Sequence, residues 1–319
     1  MTLLALTSSV YAIDKNTVEV TYDGDKAVVN IADNISGYVS ASIDRAYVKL
    51  IQAETVADNA PGEIYYILSG STTDGSFYLS GSYKASVTLN GLTLTNPQGP
   101  AIDIQNGKRI NLRIENETTN SLTDGAGGDW KGCFVCKGHT EFKGKGTLTV
   151  NGKTAHGIWS KEYVEIKNCA INVKGAKNDG IHCQQYFKMT SGAVSISDVD
   201  DDGIRVELKG ETATAGSDTE DEDTGNFYMA GGSLTISNVG NKCIKTDGTI
   251  AYTGGTQNFT LTNVEENAKT TAIQTVRLSA DDTEAVFDLN GRQLPKDALC
   301  KKGVYIIRSQ QSTRKVIIR

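Results

Sequence analysis

Gly157, Gly180 and Gly203 lie 23 residues apart, and each is followed by an isoleucine. Leu148, Ile171 and Val194 keep the same interval. The next copy, NKCIKTDG, places Cys243 at the glycine position 40 residues after Gly203, and the excess falls in the acidic insert GETATAGSDTEDEDTG from Gly210 to Gly225. Looser copies precede these, GPAIDIQNG around Ala101 and KGCFVCKG around Cys133. A repeat of this length, built from short runs that alternate apolar and polar residues between Gly, Asn and Asp, has no helical period. One such unit cannot bury its inner face alone, whereas stacked units can, so the chain is expected to be all-β and to coil into a parallel β-helix. About eight coils fit between residues 63 and 270.

Stacking assigns faces. Ile102, Phe134, Ile158, Ile181, Ile204 and Ile244 fall on one inward ladder, and residues two further on, including Cys136, Ser160, Cys183 and Val206, fall on a second. The intervening row, Asp103, Val135, Trp159, His182, Arg205 and Lys245, is outward, followed by Lys137, Lys161, Gln184, Glu207 and Asp247. Such a row of aromatic, cationic and amide side chains suits an extended polymer, because sugar rings stack on aromatic faces and uronate carboxylates pair with Arg and Lys. Trp159, Lys161, His182, Arg205 and Lys245 are the candidate carbohydrate contacts. In the turn before the strands, Asp179 and Asp202 occupy one position in adjacent coils, with Asp201, Asp200 and Asn178 beside them. Stacked carboxylates repel one another. Ca²⁺, which takes oxygen ligands, is therefore the expected cofactor of Asp179, Asp201 and Asp202 with Asn178 or Asp200. These aspartates are expected to face solvent, with the glycine after each permitting a tight turn. The acidic insert does not follow the EF-hand order and is expected to be a solvated loop near Arg205.

The net charge of −6, from 32 Lys and Arg against 38 Asp and Glu, leaves no basic concentration for nucleic acid. Cys133-x-x-Cys136 has no second pair downstream, so the six cysteines are expected to be small core residues rather than zinc ligands or disulfides. MTLLALTSSVYA resembles the end of a secretory signal, with small residues before the cleavage position, and no run is apolar enough for a membrane helix. The expected organisation is a signal remnant over 1–12, an N-terminal β cap over 13–62, the β-helix over 63–270 and a small C-terminal β module over 271–319.

The DGI coils, VTLNGLTLTN from Val87, GPAI from Gly99 and NSLTDG from Asn120 closely resemble secreted bacterial carbohydrate-binding β-helix proteins, similar in fold to family 9 pectate lyases. The resemblance implies a right-handed helix, binding of polygalacturonate or cellulose, and bound Ca²⁺. The segment from Val286, with DLNGR and KGVYI, resembles the C-terminal tails of exported proteins of Gram-negative bacteria, some of which direct secretion or surface attachment. It implies a secreted, periplasmic or outer-surface location. The leading reading is thus a Ca²⁺-assisted binder of a pectin-like polysaccharide. A Ca²⁺-dependent lyase acting by β-elimination is the alternative, with Arg205, Lys161 or Lys245 as base. A non-catalytic surface adhesin is a third.

Overall fold

Alternating apolar residues on short strands, separated by Gly, Asn and Asp, make each coil turn three corners. The computed structural model describes residues 13–53, 61–216, 221–260, 285–288, 293–294, 303–308 and 313–318. They are almost entirely strand and turn, with one 3-10 turn at Asp33–Ile35.

Three parallel faces build the first unit. Face 1 stacks Ala46–Gln52, Gly75–Gly81, Ile102–Asn106, Gly132–Cys136, His156–Ser160, Ile181–Gln184, Ile204–Glu207 and Ile244–Thr246 in that order. Face 2 stacks Ile110–Ile114, Thr140–Gly144, Val164–Lys167, Tyr186–Met189, Asn226–Met229 and Ile250–Tyr252. Face 3 stacks Thr119–Thr123, Thr147–Asn151, Ala170–Ala176, Ala193–Val199, Ser233–Val239 and Thr256–Thr260. The long strand Ala85–Thr95 serves two faces, pairing with Ile110–Ile114 by its first half and with Thr119–Thr123 by its second. The result is a parallel β-solenoid of eight turns, as the repeat predicts.

The register follows the 23-residue interval. Ile158 pairs with Ile181, Ile181 with Ile204 and Ile204 with Ile244, and all four are at most 5% exposed. Each fully buried aliphatic side chain contributes roughly 1.5–3 kcal/mol. Aromatic residues also stack from coil to coil inside: Phe187 and Phe227 lie parallel with ring centroids 5.0 Å apart. Cys133, Cys136, Cys169, Cys183 and Cys243 are buried free thiols, as expected of small core residues. Cys300 lies outside the described residues.

At the N-terminal end, Thr17–Asp23 pairs in parallel with Ile64–Thr72, and Ala46–Gln52 is the first parallel rung of face 1. Lys26–Ile31 and Val39–Asp44 then add antiparallel to those strands and end the ladders. Strand edges left open recruit other chains, so an antiparallel hairpin of this kind protects the stack. Residues 271–319 form a separate unit, in which Ala285–Phe287, Gln293–Leu294, Gly303–Arg308 and Thr313–Ile318 make an antiparallel sheet. The proposed signal segment 1–12 lies outside the described residues. No helix among the described residues is long and apolar enough to cross a membrane.

Candidate functional site

The outward row of face 1 runs in register across the stack. Tyr78 pairs with Asp103, Asp103 with Val135, Val135 with Trp159, Trp159 with His182, His182 with Arg205, and Arg205 with Lys245. The row divides into two halves of different chemistry.

In the later half every cation on the row is paired. Arg205 places Nε 3.1 Å from Glu207 Oε1 and its terminal nitrogen 2.7 Å from Asp247 Oδ1. Lys245 Nζ lies 3.3 Å from Asp202 Oδ2. The aspartates do not face solvent as the turn position implied: Asp179 is 4% exposed and Asp202 fully buried. The cause is the next coil, whose backbone closes over each carboxylate. Asp202 N–H donates to Asp179 Oδ1 at 3.2 Å, and Lys242 N–H donates to Asp202 Oδ1 at 3.0 Å. His182 likewise sits on the outward row yet is only 9% exposed. Its Nδ1 lies 2.9 Å from Asp179 Oδ2 and its Nε2 lies 3.4 Å from Glu207 Oε2. His156 Nδ1 lies 3.2 Å from the same Asp179 oxygen.

Burial alone would raise the Asp179 carboxyl, but the hydrogen bonds and charge of His156 and His182 outweigh it and hold the group well below the usual carboxylate range. Burial lowers His156, which favours its neutral form. For Asp202 burial is the largest effect and, with the nearby Asp201 and Asp179 charges, it outweighs the Lys242 N–H and the Lys245 ammonium and raises the carboxyl.

Asp179, Asp201 and Asp202 do come together, with ligand oxygens within 4.8 Å of one another. Asp200 and Asn178 do not join them: both are exposed, and Asp200 pairs with Lys177 at 3.0 Å. Calcium takes six to eight oxygens. Here both Asp179 oxygens are engaged, and Asp201 Oδ1 accepts a hydrogen bond from Asn241 Nδ2 at 3.0 Å. The remaining Asp202 oxygen has no hydrogen-bond donor and is approached by the Lys245 ammonium. An ammonium stands where a cation would neutralise the cluster, so this donor set does not fit calcium.

In the earlier half of the row Val135 is buried and Asp103, half-buried, accepts a hydrogen bond from Gln105. Trp159 is half-buried, and Lys137 and Lys161 are exposed at the ends of adjacent strands, following the paired residues Cys136 and Ser160. Adjacent strands are about 4.8 Å apart. Among the described residues neither lysine has a carboxylate partner. Tyr78 continues the row, with Lys49 Nζ 5.3 Å from its ring centre. Lys137 stood on the outward row without being assigned as a carbohydrate contact, and Tyr78 is found by counting the register back one coil from Asp103. The acidic insert is anchored at its base, where Asp223 accepts the N–H groups of Lys209 and Gly210 and bridges to Thr214. Residues 217–220 lie outside the described residues.

Residues 52–294 match the model of a family described as carbohydrate-binding domain-containing protein, a span that takes in almost the whole solenoid. The chain belongs to that carbohydrate-binding domain family. Another protein of the same description, from Acetivibrio thermocellus, is 27% identical over 166 residues, 49% of this chain and 52% of the relative. The chain thus spans about half the length of the curated relative it matches. A solved structure of a polysaccharide lyase-like protein from C. thermocellum, a gadolinium derivative, superposes with a TM-score of 0.58 at 21% identity, covering 75% of this chain and 99% of the other. That likeness establishes a shared fold between this carbohydrate-binding domain protein and the lyase-like one.

Proposed function

We propose that face 1 binds an extended acidic polysaccharide, with Trp159 as a stacking surface for a sugar ring and Lys137 and Lys161 as partners for its carboxylates. The observation that carries this reading is the pair of stacked lysines beside Trp159. Two ammonium groups on adjacent coils repel each other, and neither forms an ion pair with a carboxylate among the described residues. A polyanion with regularly spaced charges supplies what the fold omits, while the indole supplies apolar contact area. Membership of a carbohydrate-binding domain family supports a polysaccharide as the ligand class, and so does the fold shared with a polysaccharide lyase-like protein. An exported or surface location, where such polymers are met, goes with this reading.

Binding is favoured over β-elimination by the state of the candidate bases. The Arg205 guanidinium is held by Glu207 and Asp247, and the Lys245 ammonium is paired with Asp202. Lys161 is unpaired but follows the strand His156–Ser160, whereas Asp179 precedes the next strand, so base and carboxylate cluster stand at opposite ends of the face. Affinity electrophoresis tests the proposal. Migration through gels containing polygalacturonate is expected to be retarded, with retardation lost in Trp159→Ala and in the double variant Lys137→Ala, Lys161→Ala. Unretarded wild-type protein, or release of unsaturated sugar product by the wild type, contradicts it.

A further inference from the structure

The chain contains three histidines, and two of them meet at a single carboxylate oxygen. His156 opens one rung of face 1, His182 lies on the next, and Asp179 occupies the turn between them. The parallel register brings the two imidazoles to a centroid separation of 4.4 Å, with both Nδ1 atoms turned toward Asp179 Oδ2 at 3.2 and 2.9 Å. The other Asp179 oxygen is already taken by the N–H of Asp202, which fixes the carboxylate with Oδ2 facing the rings.

His156 Nδ1 also lies 3.2 Å from the Asp179 backbone nitrogen, so one imidazole nitrogen meets both the amide and the carboxylate of Asp179. Two imidazole nitrogens and one carboxylate oxygen, all within 4.8 Å of one another, make a compact set of three possible ligands. Tetrahedral zinc with bonds of 2.0–2.1 Å sets its ligands roughly 3.3 Å apart, close to the separations here. The outer surroundings agree. His182 directs its second nitrogen at Glu207 Oε2, and the opposite Glu207 oxygen is held by Arg205. Ligating histidines generally hand their second N–H to a carboxylate in this way, which fixes ring orientation.

We propose that His156 Nδ1, Asp179 Oδ2 and His182 Nδ1 bind a divalent transition-metal ion, with Zn²⁺ best matched to two imidazoles and one carboxylate, and a fourth position left for water or ligand. Such an N₂O set suits a borderline ion and not Ca²⁺. The ion joins two successive coils at the edge of face 1, next to Trp159. This site stands independently of polysaccharide binding.

The test uses the full chain without an affinity tag, stripped with chelator and titrated with Co²⁺ as a visible reporter and with Zn²⁺ by calorimetry. The expected result is saturable binding of one ion per chain, a cobalt spectrum of nitrogen and oxygen ligation that Zn²⁺ displaces, and a melting temperature raised by Zn²⁺. His156→Gln and His182→Gln are each expected to weaken binding at least 100-fold. Glu207→Gln should weaken it by roughly 10–100-fold through the lost support of His182. His139→Gln, at the remaining histidine, should leave it intact. Absence of saturable Co²⁺ or Zn²⁺ binding to folded wild-type protein overturns the proposal. So does binding that survives in the double histidine variant, or stabilisation by Ca²⁺ alone. Should the histidine variants fail to fold, the cobalt spectrum of the wild type decides.

Discussion

Gly180 has a role different from the one its turn position implies. The glycines at 157, 180 and 203 do not take the left-handed conformation; they are packed where a side chain has no room. A Cβ at Gly180 would sit 2.5 Å from Ile196 Cγ2 on face 3 and 2.7 Å from the carbonyl oxygen of Gly203 in the next coil. The 23-residue interval revealed the position, but the cause lies in two contacts that are remote in sequence. Gly180→Ala is expected to destabilise the fold by about 1–3 kcal/mol, as overpacking does, read as a lower denaturation midpoint in urea. An unchanged midpoint would show that Ile196 yields freely. The aspartates beside these glycines follow the same logic. Their stacking was legible from spacing, while their burial depends on the backbone of the following coil and carries no local signal. The pairing of Arg205 was closer to hand, since Glu207 lies two residues on and Asp247 follows Lys245 on the same rows.

Along each face the parallel ladders repeat one choice of residue, and departures from it mark special places. The corner leading into face 2 stacks His139, Tyr163 and Tyr186, with centroid separations of 4.6 and 4.7 Å. Burial lowers His139, and it lowers His156 at the opposite end of the face 1 strands. A histidine whose folded pKa lies below its unfolded value of about 6.5 binds fewer protons when folded. Stability from such a group is therefore complete above that value and is lost as pH falls through the window beneath it. In chelator, the melting temperature is expected to drop between pH 7 and pH 5, and the drop should be smaller in His139→Gln. A flat profile would place both imidazoles in solvent-like surroundings. The inward ladders were readable because alternation and interval agree. The stacked tyrosines were not, because they sit at corners, where alternation of two gives no direction.

The whole solenoid acts as a ruler. Its coils repeat at one strand spacing, so any side chain held in register along face 1 is presented at regular steps to a polymer lying along the stack. The early half of that face offers Tyr78, Trp159, Lys137 and Lys161, and the late half closes its charges on itself through Arg205, Lys245 and their carboxylates. The contrast between exposed lysines beside Trp159 and the neutralised late half gives binding a location. The fold, its repeat and the outward row were present in the sequence. The division of the row was not, because it depends on which cations find partners. Trp159 is one of only two tryptophans, and the other, Trp130, donates its indole N–H to Asp124 at 2.8 Å. Replacing Trp130 by phenylalanine leaves Trp159 as the only indole reporter on the proposed surface. Titration of Trp130→Phe with oligogalacturonate is expected to give a saturable change in tryptophan emission, which Lys137→Ala with Lys161→Ala abolishes. Emission that stays constant while the same protein is retained by polygalacturonate would place the binding surface elsewhere on the molecule.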